Sequence, residues 1–381
     1  MTQPMIILHI ITDLNAGGAE LMMKRLIEAH LADPHYAHRV ISLRGLGPVA
    51  APLREQGISV KALGLTSALR LPAAVLRLAR HIRTDRPDIV QTWMYHADLL
   101  GGLAARGVGM RTILWGVRVA DISPEMGVAR QTFWIRRVCA YLSRYIPKKI
   151  IYVCHSAQPP HEALGYDRSK GLVIPNGYVL PPERTRQERL ELRRRLGLPE
   201  RALLIGSAGR WSAQKDFPAF IDAASLLAAE WPEAQFVLMG RDVDWDNREL
   251  ARVVRGSGVA DRVHLLGERR DIGDCLAALD IFSLQSIQEG FPNVVAEAMA
   301  AGTPCVVTDV GDAALLVGET ATVVEPRQPA QLAAALGKLV AAPPEEREAL
   351  GRRARSRIEE HFSIAAVAAR YAKLYRDMID S

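Results

Sequence analysis

Cysteine is scarce in this 381-residue chain, and so is every pattern that would make cysteine chemical. The four present, Cys139, Cys154, Cys275 and Cys305, are scattered, with no C-x-x-C pair. That argues against a disulfide framework and a thiolate zinc site, and it fits a reducing compartment. No uninterrupted apolar run approaches the ~18–20 residues of a membrane-spanning helix. The apolar stretch from Met5 to Ile11 has no basic leader and no small-residue cleavage site, and Asp13 cuts it short. It reads as a first strand, not a signal peptide, and the expected location is cytoplasmic. Solenoid repeats and low-complexity tracts are missing as well. One window lacks a single charge sign. No acidic residue occurs between Glu125 and Glu162, although Arg130, Arg136, Arg137, Arg144, Lys148 and Lys149 do.

What is present is an ordinary globular composition, 49% apolar and 24% charged, in a chain long enough for about two domains. The net charge of +6 is unevenly placed. Up to Leu180 there are 22 Lys+Arg against 12 Asp+Glu, and beyond it 26 against 30. A basic first half points to an anionic partner: a membrane surface, a phosphate-bearing acceptor or nucleic acid. Nucleic acid is the least favoured, because no RNA-binding signature or DNA-reading helix accompanies the charge.

Short β-branched runs alternate with helical patterns, the signature of parallel βαβ units. Expected strands lie at 5–11, 38–43, 60–63, 88–92, 112–115, 149–153 and 172–174, then at 203–208, 235–239, 263–266, 281–284, 303–308 and 322–324. Each set is about the complement of one doubly wound domain. Between them stand Pro175-Asn176-Gly177, Pro181-Pro182 and a charged Arg/Glu helix ending at Gly197, which is turn chemistry and then a boundary. The expected fold class is α/β, two Rossmann-like doubly wound domains facing across a cleft. In such sheets ligands sit outside the carboxyl ends of strands.

Three loops at such ends carry chemistry. After 281–284 comes Ser286-Ile287-Gln288-Glu289-Gly290-Phe291-Pro292-Asn293-Val294, then Glu297 inside a helix of Val, Ala and Met. Gly290 admits a ligand close to the backbone, and free amides at a helix start suit an anion or hydroxyl. Glu297 needs a partner there, which ribose hydroxyls or a structural ion pair would supply. After 203–208 comes Gly209-Arg210-Trp211-Ser212-Ala213-Gln214-Lys215, where a guanidinium fork and an ammonium five residues on can clamp a diphosphate. The alternative is a solvated basic loop. After 5–11 comes Asp13-Leu14-Asn15-Ala16-Gly17-Gly18-Ala19-Glu20, paired glycines opening a helix.

Together these residues resemble glycosyltransferase family 4, retaining enzymes of the GT-B fold, and the likeness covers nearly the whole chain. Glu289 and Glu297 match the family's E-x7-E spacing, Gly209-Arg210…Lys215 its G-R…K loop, Gly17-Gly18 its G-G-x-E, and Ile174-Pro175-Asn176-Gly177 its interdomain crossing. The segment from His361-Phe362-Ser363 through Tyr371 to Tyr375 resembles the terminal helix that returns to the N-terminal domain. The resemblance implies an acceptor domain of residues 1–178 with helix 364–381, and a nucleotide-sugar domain of residues 179–363. It implies that Arg210 and Lys215 neutralise a departing diphosphate. Glu289, Gly290, Phe291, Asn293 and Val294 would hold the donor sugar and phosphate, with Gly17 and Gly18 beside the donor. Glu297 would take the ribose, and the backbone near Arg270 the base. His96 resembles a catalytic histidine of the family. A second family histidine is missing, since Trp115-Gly116-Val117-Arg118 stands in its place, so Arg118 and Asn15 are the acceptor candidates.

Two imitations are set aside. Gly45-Leu46-Gly47-Pro48-Val49-Ala50 follows the second strand, not the first, and no acidic residue between Glu55 and Asp85 is placed to take a ribose. Asp242-Val243-Asp244 mimics a metal clamp, but two cations already meet the leaving charge, so neither metal nor cofactor is expected. In the basic window, Trp134, Val138, Tyr141 and Tyr145 recur at helical spacing. Such a stripe suits a helix lying on an anionic membrane, which would make the protein peripheral on the inner face of the plasma membrane. The favoured expectation is the plainer one: the stripe packs on its own sheet with charge outward. The activity expected is sugar transfer from a nucleotide diphosphate donor to a glycan or lipid-linked acceptor. Its rivals are a nucleotide-sugar 2-epimerase and a non-catalytic membrane scaffold.

Overall fold

The computed structural model describes residues 3–66, 71–120 and 130–380. Its chain divides into two compact units, Met1–Gly177 with Ile364–Ser381, and Tyr178–Ser363. The first holds seven parallel strands: β1 (Met5–Ile11), β2 (Tyr36–Ser42), β3 (Ser59–Ala62), β4 (Ile89–Trp93), β5 (Ile113–Val117), β6 (Lys149–Tyr152) and β7 (Gly171–Val173). They lie in the order β3-β2-β1-β4-β5-β6-β7. The second holds β8 (Leu203–Ala208), β9 (Ala234–Met239), β10 (Val263–Leu265), β11 (Ile281–Leu284), β12 (Cys305–Thr308) and β13 (Thr322–Val324), ordered β10-β9-β8-β11-β12-β13. Every expected strand is present, with ends displaced by at most two residues. Central strands such as β4 and β5 are buried along their whole length, as parallel strands covered by helices on both faces must be.

Each sheet reverses its winding once, between β1 and β4 in the first unit and between β8 and β11 in the second. At those points successive crossover helices leave on opposite faces, and the loops beyond the strand ends are free to take ligands. The four cysteines are buried thiols outside any disulfide. Among the described residues no helix is long and apolar enough to cross a membrane.

The helix Arg130–Leu142 corrects the expectation for the aromatic stripe. Trp134, Val138, Tyr141 and Tyr145 are 65%, 44%, 65% and 57% exposed. The inward positions are Arg136, Cys139, Ala140 and, in the turn beyond, Ser143. Arg136 goes inside because its planar guanidinium lies over the rings of Tyr95 and Phe133, at 5.9 and 5.7 Å. Arg137 and Arg144, three residues after Trp134 and Tyr141, share the exposed side with the stripe instead of opposing it. The side chain of Arg130 lies outside the described residues.

The helix Ile364–Asp380 completes the first unit's core with Val367, Tyr371 and Tyr375, and the Tyr375 hydroxyl donates to Gln91 on β4. Its docking involves an unusual buried chain. The Trp93 indole donates to His9 Nδ1 (3.1 Å), His9 Nε2 meets His38 Nδ1 (2.9 Å), His38 Nε2 meets His30 Nδ1 (3.2 Å), and His30 Nε2 meets the Ala368 carbonyl (3.4 Å). An indole N–H can only donate and a carbonyl can only accept, so the chain runs one way. All three imidazoles are then neutral, each carrying its proton on Nε2. An added proton would set two donors face to face. Burial accordingly depresses all three, His38 to about 3, with the other histidines adding to the effect on His9 and His38.

Free histidine titrates near 6.5, so below that value the unfolded chain binds protons that the folded unit refuses. The stability these groups confer is therefore complete above about pH 6.5 and is lost as pH falls towards the folded values. We predict that the first unit's stability falls on acidification by up to ~1.4 kcal/mol per pH unit for each histidine. His38→Gln should flatten that slope. Urea unfolding between pH 4 and 8 measures it, and identical slopes in the two proteins would refute the chain.

Candidate active site

In the second unit the loops after β8 and β11 meet at the switch point. Lys215 ends a short 3-10 turn, Ala213–Lys215, and reaches across the face of Gly209, which has no side chain to block it. Its ammonium lies 2.5 Å from Glu289 Oε1, and the Ser286 hydroxyl donates to the same oxygen at 2.7 Å. The two ionic groups are only 19% and 13% exposed, so removing either would strand the other in a poorly solvated place.

Both loops are fixed by hydrogen bonds that need no ligand. Gln285 Nε2 donates to the Lys215 carbonyl (2.7 Å) and its Oε1 accepts from Ser207 (2.9 Å), while the Ile287 amide donates to Gln214 O (2.8 Å). Thr308 Oγ1 donates to Ser286 O (2.7 Å), and the Asp312 amide to Gly290 O (2.9 Å). Gly311 adopts φ +58°, and a Cβ there would collide with the carbonyls of Glu289 and Gly290. Pro292 is the N-cap of the helix Asn293–Ala300, just outside its first turn. Phe291 is buried between Tyr178 and Phe362, and the Tyr178 hydroxyl donates to Asn293 Oδ1 at 2.5 Å. The result is a Lys–Glu pair fixed beside the start of a helix, a place preorganised for a charged ligand.

The other expected residues of the second unit differ in exposure. Arg210 is exposed and reaches Gln214 Oε1 at 3.4 Å. Val294 and Glu297 are half-buried on the helix, whose neighbours Val295, Ala296, Ala298 and Met299 are buried. Arg270 is exposed after β10, two strands away from β8, while its neighbour Arg269 forks onto Asp271 at 2.8 and 2.9 Å. Asp244 Oδ1 caps a turn by accepting the amides of Asp246 (3.0 Å) and Asn247 (3.2 Å). The Gly45–Gly47 segment leads to Val49, whose amide donates to Leu14 O (3.2 Å) on the first loop.

The first unit has its own recess beyond the strand ends. Thr12, Leu43, Arg44, Leu65, Leu71 and His96 are among the residues lining a cavity of about 460 Å³. Burial first, and the Arg44 guanidinium second, hold the His96 imidazole below its usual range, so it is neutral at pH 7. Gly17 is the N-cap of the helix Gly18–His30, and burial pushes up the carboxyl of Glu20 in its first turn. Asn15 is exposed, with its amide donating to Asp13 (3.0 Å). Arg118 is turned inward: it lies over Trp93 at 5.4 Å and donates to Ile174 O, Asn176 Oδ1 and Tyr371 Oη.

His96 stands on the first turn of the helix Tyr95–Gly107, and that turn is strained. Met94, its N-cap, has φ 74° and ψ 155°, a conformation costing on the order of 1–3 kcal/mol in a residue with a side chain. Three hydrogen bonds close a ring around it. The Met94 amide donates to Gly116 O (2.9 Å), the Gly116 amide to Asp98 Oδ1 (3.3 Å), and the Asp98 amide to Met94 O (2.9 Å). Thr92 Oγ1 adds a 2.5 Å bond to Asp98 Oδ1. Gly116 is needed because a Cβ would lie 2.7 Å from Thr92 O. Sequence reasoning overlooked Asp98. The logic that drew attention to Glu297, a carboxylate among apolar residues, applies equally to Ala97-Asp98-Leu99-Leu100. It overlooked Gly311 and Gln285 too, whose partners lie on other loops.

The chain is similar to known proteins throughout. The family described as Glycosyltransferase Family 4 matches residues 16–180, and Glycosyl transferases group 1 matches residues 202–342. The lipopolysaccharide core biosynthesis glycosyltransferase LpsE of Rhizobium meliloti (strain 1021) is 30% identical over 304 residues, covering 77% of this chain and 76% of that protein. The UDP-Gal:alpha-D-GlcNAc-diphosphoundecaprenol alpha-1,3-galactosyltransferase of Escherichia coli is 26% identical over 242 residues; the match spans 62% of each chain, less than two-thirds of that relative's length. Among solved structures, Anabaena Alr3699/HepE in complex with UDP superposes with a TM-score of 0.85 at 22% identity, covering 98% of this chain and all of that one. The two Rossmann-like units are those of the GT-B fold. The chain belongs to glycosyltransferase family 4.

The loop packing yields a direct test. Gly311→Ala forces a side chain into a left-handed conformation against two carbonyls, and should destabilise the second unit by more than ~1 kcal/mol. Urea unfolding checks it, and an unchanged midpoint would mean that the Glu289 loop is not packed in this way.

Proposed function

We propose that this protein transfers a sugar from a nucleotide diphosphate donor to a glycan or lipid-linked acceptor, with retention at the anomeric carbon and without a metal ion. The observation carrying this reading is the Lys215–Glu289 pair at the switch point, beside the start of the helix Asn293–Ala300. In the proposed reaction the bond from the anomeric carbon to the β-phosphate oxygen breaks, and one to the acceptor oxygen forms on the same face. The acceptor proton passes to the departing phosphate. Lys215, Arg210 and the helix-start amides meet the negative charge that develops on the diphosphate. Glu289 orients the sugar where positive charge grows, and Glu297 holds the ribose in ground and transition states alike. The backbone at Arg270 faces the base, and Gly17 and Gly18 admit the donor near the first helix.

The acceptor belongs in the 460 Å³ recess, where neutral His96 is suited to relay that proton and Arg44 supplies a cation. With Arg118 committed to partners within its own unit, it acts here by holding the segment at Ile174 and Asn176, while Asn15 stays open to the acceptor. LpsE and the E. coli galactosyltransferase are described by names that involve lipopolysaccharide core and a diphosphoundecaprenol-linked sugar, which favours such acceptors here. The exposed stripe Trp134, Val138, Tyr141 and Tyr145, flanked by Arg137 and Arg144, fits a helix resting on an anionic bilayer at the cytoplasmic face. Aromatics enter the headgroup region and the guanidiniums meet phosphates.

HepE is described with UDP and with UDP-glucose, so uridine donors come first in a melting-point panel of nucleotide diphosphate sugars in excess chelator. A rise with at least one donor is expected. Lys215→Ala should weaken nucleotide diphosphate binding by about 2–4 kcal/mol, since it also leaves the Glu289 charge facing the phosphates. Exposed Arg210→Ala should cost less, and Lys215→Ala with Glu289→Gln should recover part of the loss. If no donor raises the melting point, or Lys215→Ala binds as tightly as wild type, the reading fails.

A separate measurement addresses the bilayer. Vesicles containing phosphatidylglycerol should retain the protein in flotation, and neutral phosphatidylcholine vesicles should not. Trp134→Ser with Tyr141→Ser should abolish retention without altering the melting point, and equal retention on both vesicle types would exclude this role.

A further inference from the structure

We propose that Asp98 is a positioning residue that acts as a neutral acid, locking the strained Met94 turn so that His96 is presented to the acceptor recess. The proposal rests on the acceptor-side role given to His96 above. Asp98 is wholly buried at the head of the helix Tyr95–Gly107, two residues after His96. One of its oxygens gathers Thr92 Oγ1 and the Gly116 amide, and the other, Oδ2, is buried without a hydrogen-bond partner among the described residues. A carboxylate so placed would leave its charge half-unmet in a dry site, whereas a carboxylic acid leaves only one polar atom unmet. The ring of hydrogen bonds from Met94 to Gly116 to Asp98 and back then has a single function. It holds a residue in a conformation it would otherwise leave, and so fixes the angle at which the next turn carries His96.

The surroundings keep the acid neutral. Burial pushes Asp98 up to about 8, outweighing the two hydrogen bonds that favour its charged form. Tyr95 on the same helix, Cys139 on the helix Arg130–Leu142, Tyr152 on β6 and Tyr166 beyond are acids pushed up by burial, so none adds a charge near pH 8. His161 is depressed to about 4 and is neutral as well. Arg136, over the Tyr95 ring, is the buried cation of this group, and Arg44 faces His96 from the recess. Asp98 is thus the group whose charge changes as the solution turns alkaline. Its ionisation places an unmet charge against the ring and loosens the turn. Below about pH 8 the turn is held, and above it His96 is released.

The test uses three variants of the whole chain, with nucleotide diphosphate release from the donor chosen by the melting-point panel. Asp98→Asn keeps an acceptor for Thr92 and Gly116 but cannot ionise. It should match wild-type turnover at pH 7 within about twofold and lose the alkaline fall above pH 8 that wild type shows. Asp98→Leu should lower turnover at least tenfold while leaving the donor Michaelis constant unchanged. The third readout does not need activity. The His96 imidazole carbon-bound proton, assigned by its loss in His96→Gln, should shift through about pH 8 in wild type and stay fixed in Asp98→Asn. A His96 signal that titrates alike in both proteins, or an alkaline fall that survives in Asp98→Asn, overturns the proposal. Full turnover in His96→Gln would remove the acceptor-side role on which the proposal rests, and the imidazole signal would still report whether Asp98 holds the turn.

Discussion

A parallel sheet covered on both faces can present polar chemistry only beyond the carboxyl ends of its strands, where backbone groups run out of neighbours. Everything functional in this protein follows from that restriction. Strands β1, β4, β8 and β11 are buried along nearly all of their length, and the loops that carry the sites begin directly at their ends, with Thr12, Met94, Gly209 and Gln285. Because each winding reverses between those strands, the loops beside one another in space come from distant parts of the sequence. That is why Lys215 meets Glu289, whereas the Met94 turn is tied to Gly116 because β4 and β5 are paired neighbours.

The two units solve the same problem differently. In the second, a charged pair is held ready by uncharged cross-ties: Gln285 grips the Lys215 carbonyl, Thr308 grips Ser286, and Gly311 presses on the Glu289 backbone. The ion pair keeps each partner solvated by the other until something with both charges and hydroxyls replaces it. In the first unit the recess sets Arg44 beside a neutral His96. Several buried polar groups there are kept neutral: three imidazoles in a one-way chain, the Asp98 carboxyl, and Tyr95 with Cys139, Tyr152 and Tyr166. One unit's site handles charge by matching it, the other's by suppressing it.

The amino-acid sequence made the sheets legible because a β-branched run bounded by turn residues has few other uses. Glycine-rich ends and paired cations then marked the loops. What stayed hidden depended on long-range partners. Periodicity told that Trp134, Val138, Tyr141 and Tyr145 share a side of their helix, but not that the side faces outward; Arg136 reversed the expectation because Tyr95 and Phe133 offer it flat ring faces. Histidines in β1, β2 and the first helix looked unrelated until the register His9 to Val40 and Ile7 to His38 brought them into line. Arg118, an acceptor candidate by its place in the sequence, has partners in Asn176 and Tyr371 that the sequence did not announce. Met94 carries no signal at all, since nothing in a methionine announces a positive φ.

The helix Ile364–Asp380 belongs to the unit that begins the chain, while all of the other unit lies between. On the ribosome, β1 to β7 therefore emerge without Val367, Tyr371 and Tyr375, and His30 waits for the Ala368 carbonyl. At about 5–20 residues per second, the intervening segment takes on the order of ten to forty seconds to synthesise. Throughout that interval the nascent first unit exposes an apolar groove, next to a buried histidine chain with one end unmet. The second unit can finish folding first, although its codons come later. A premature stop or a proteolytic nick anywhere after Ser363 would thus injure the amino-terminal half of the molecule and leave the half nearest the break intact.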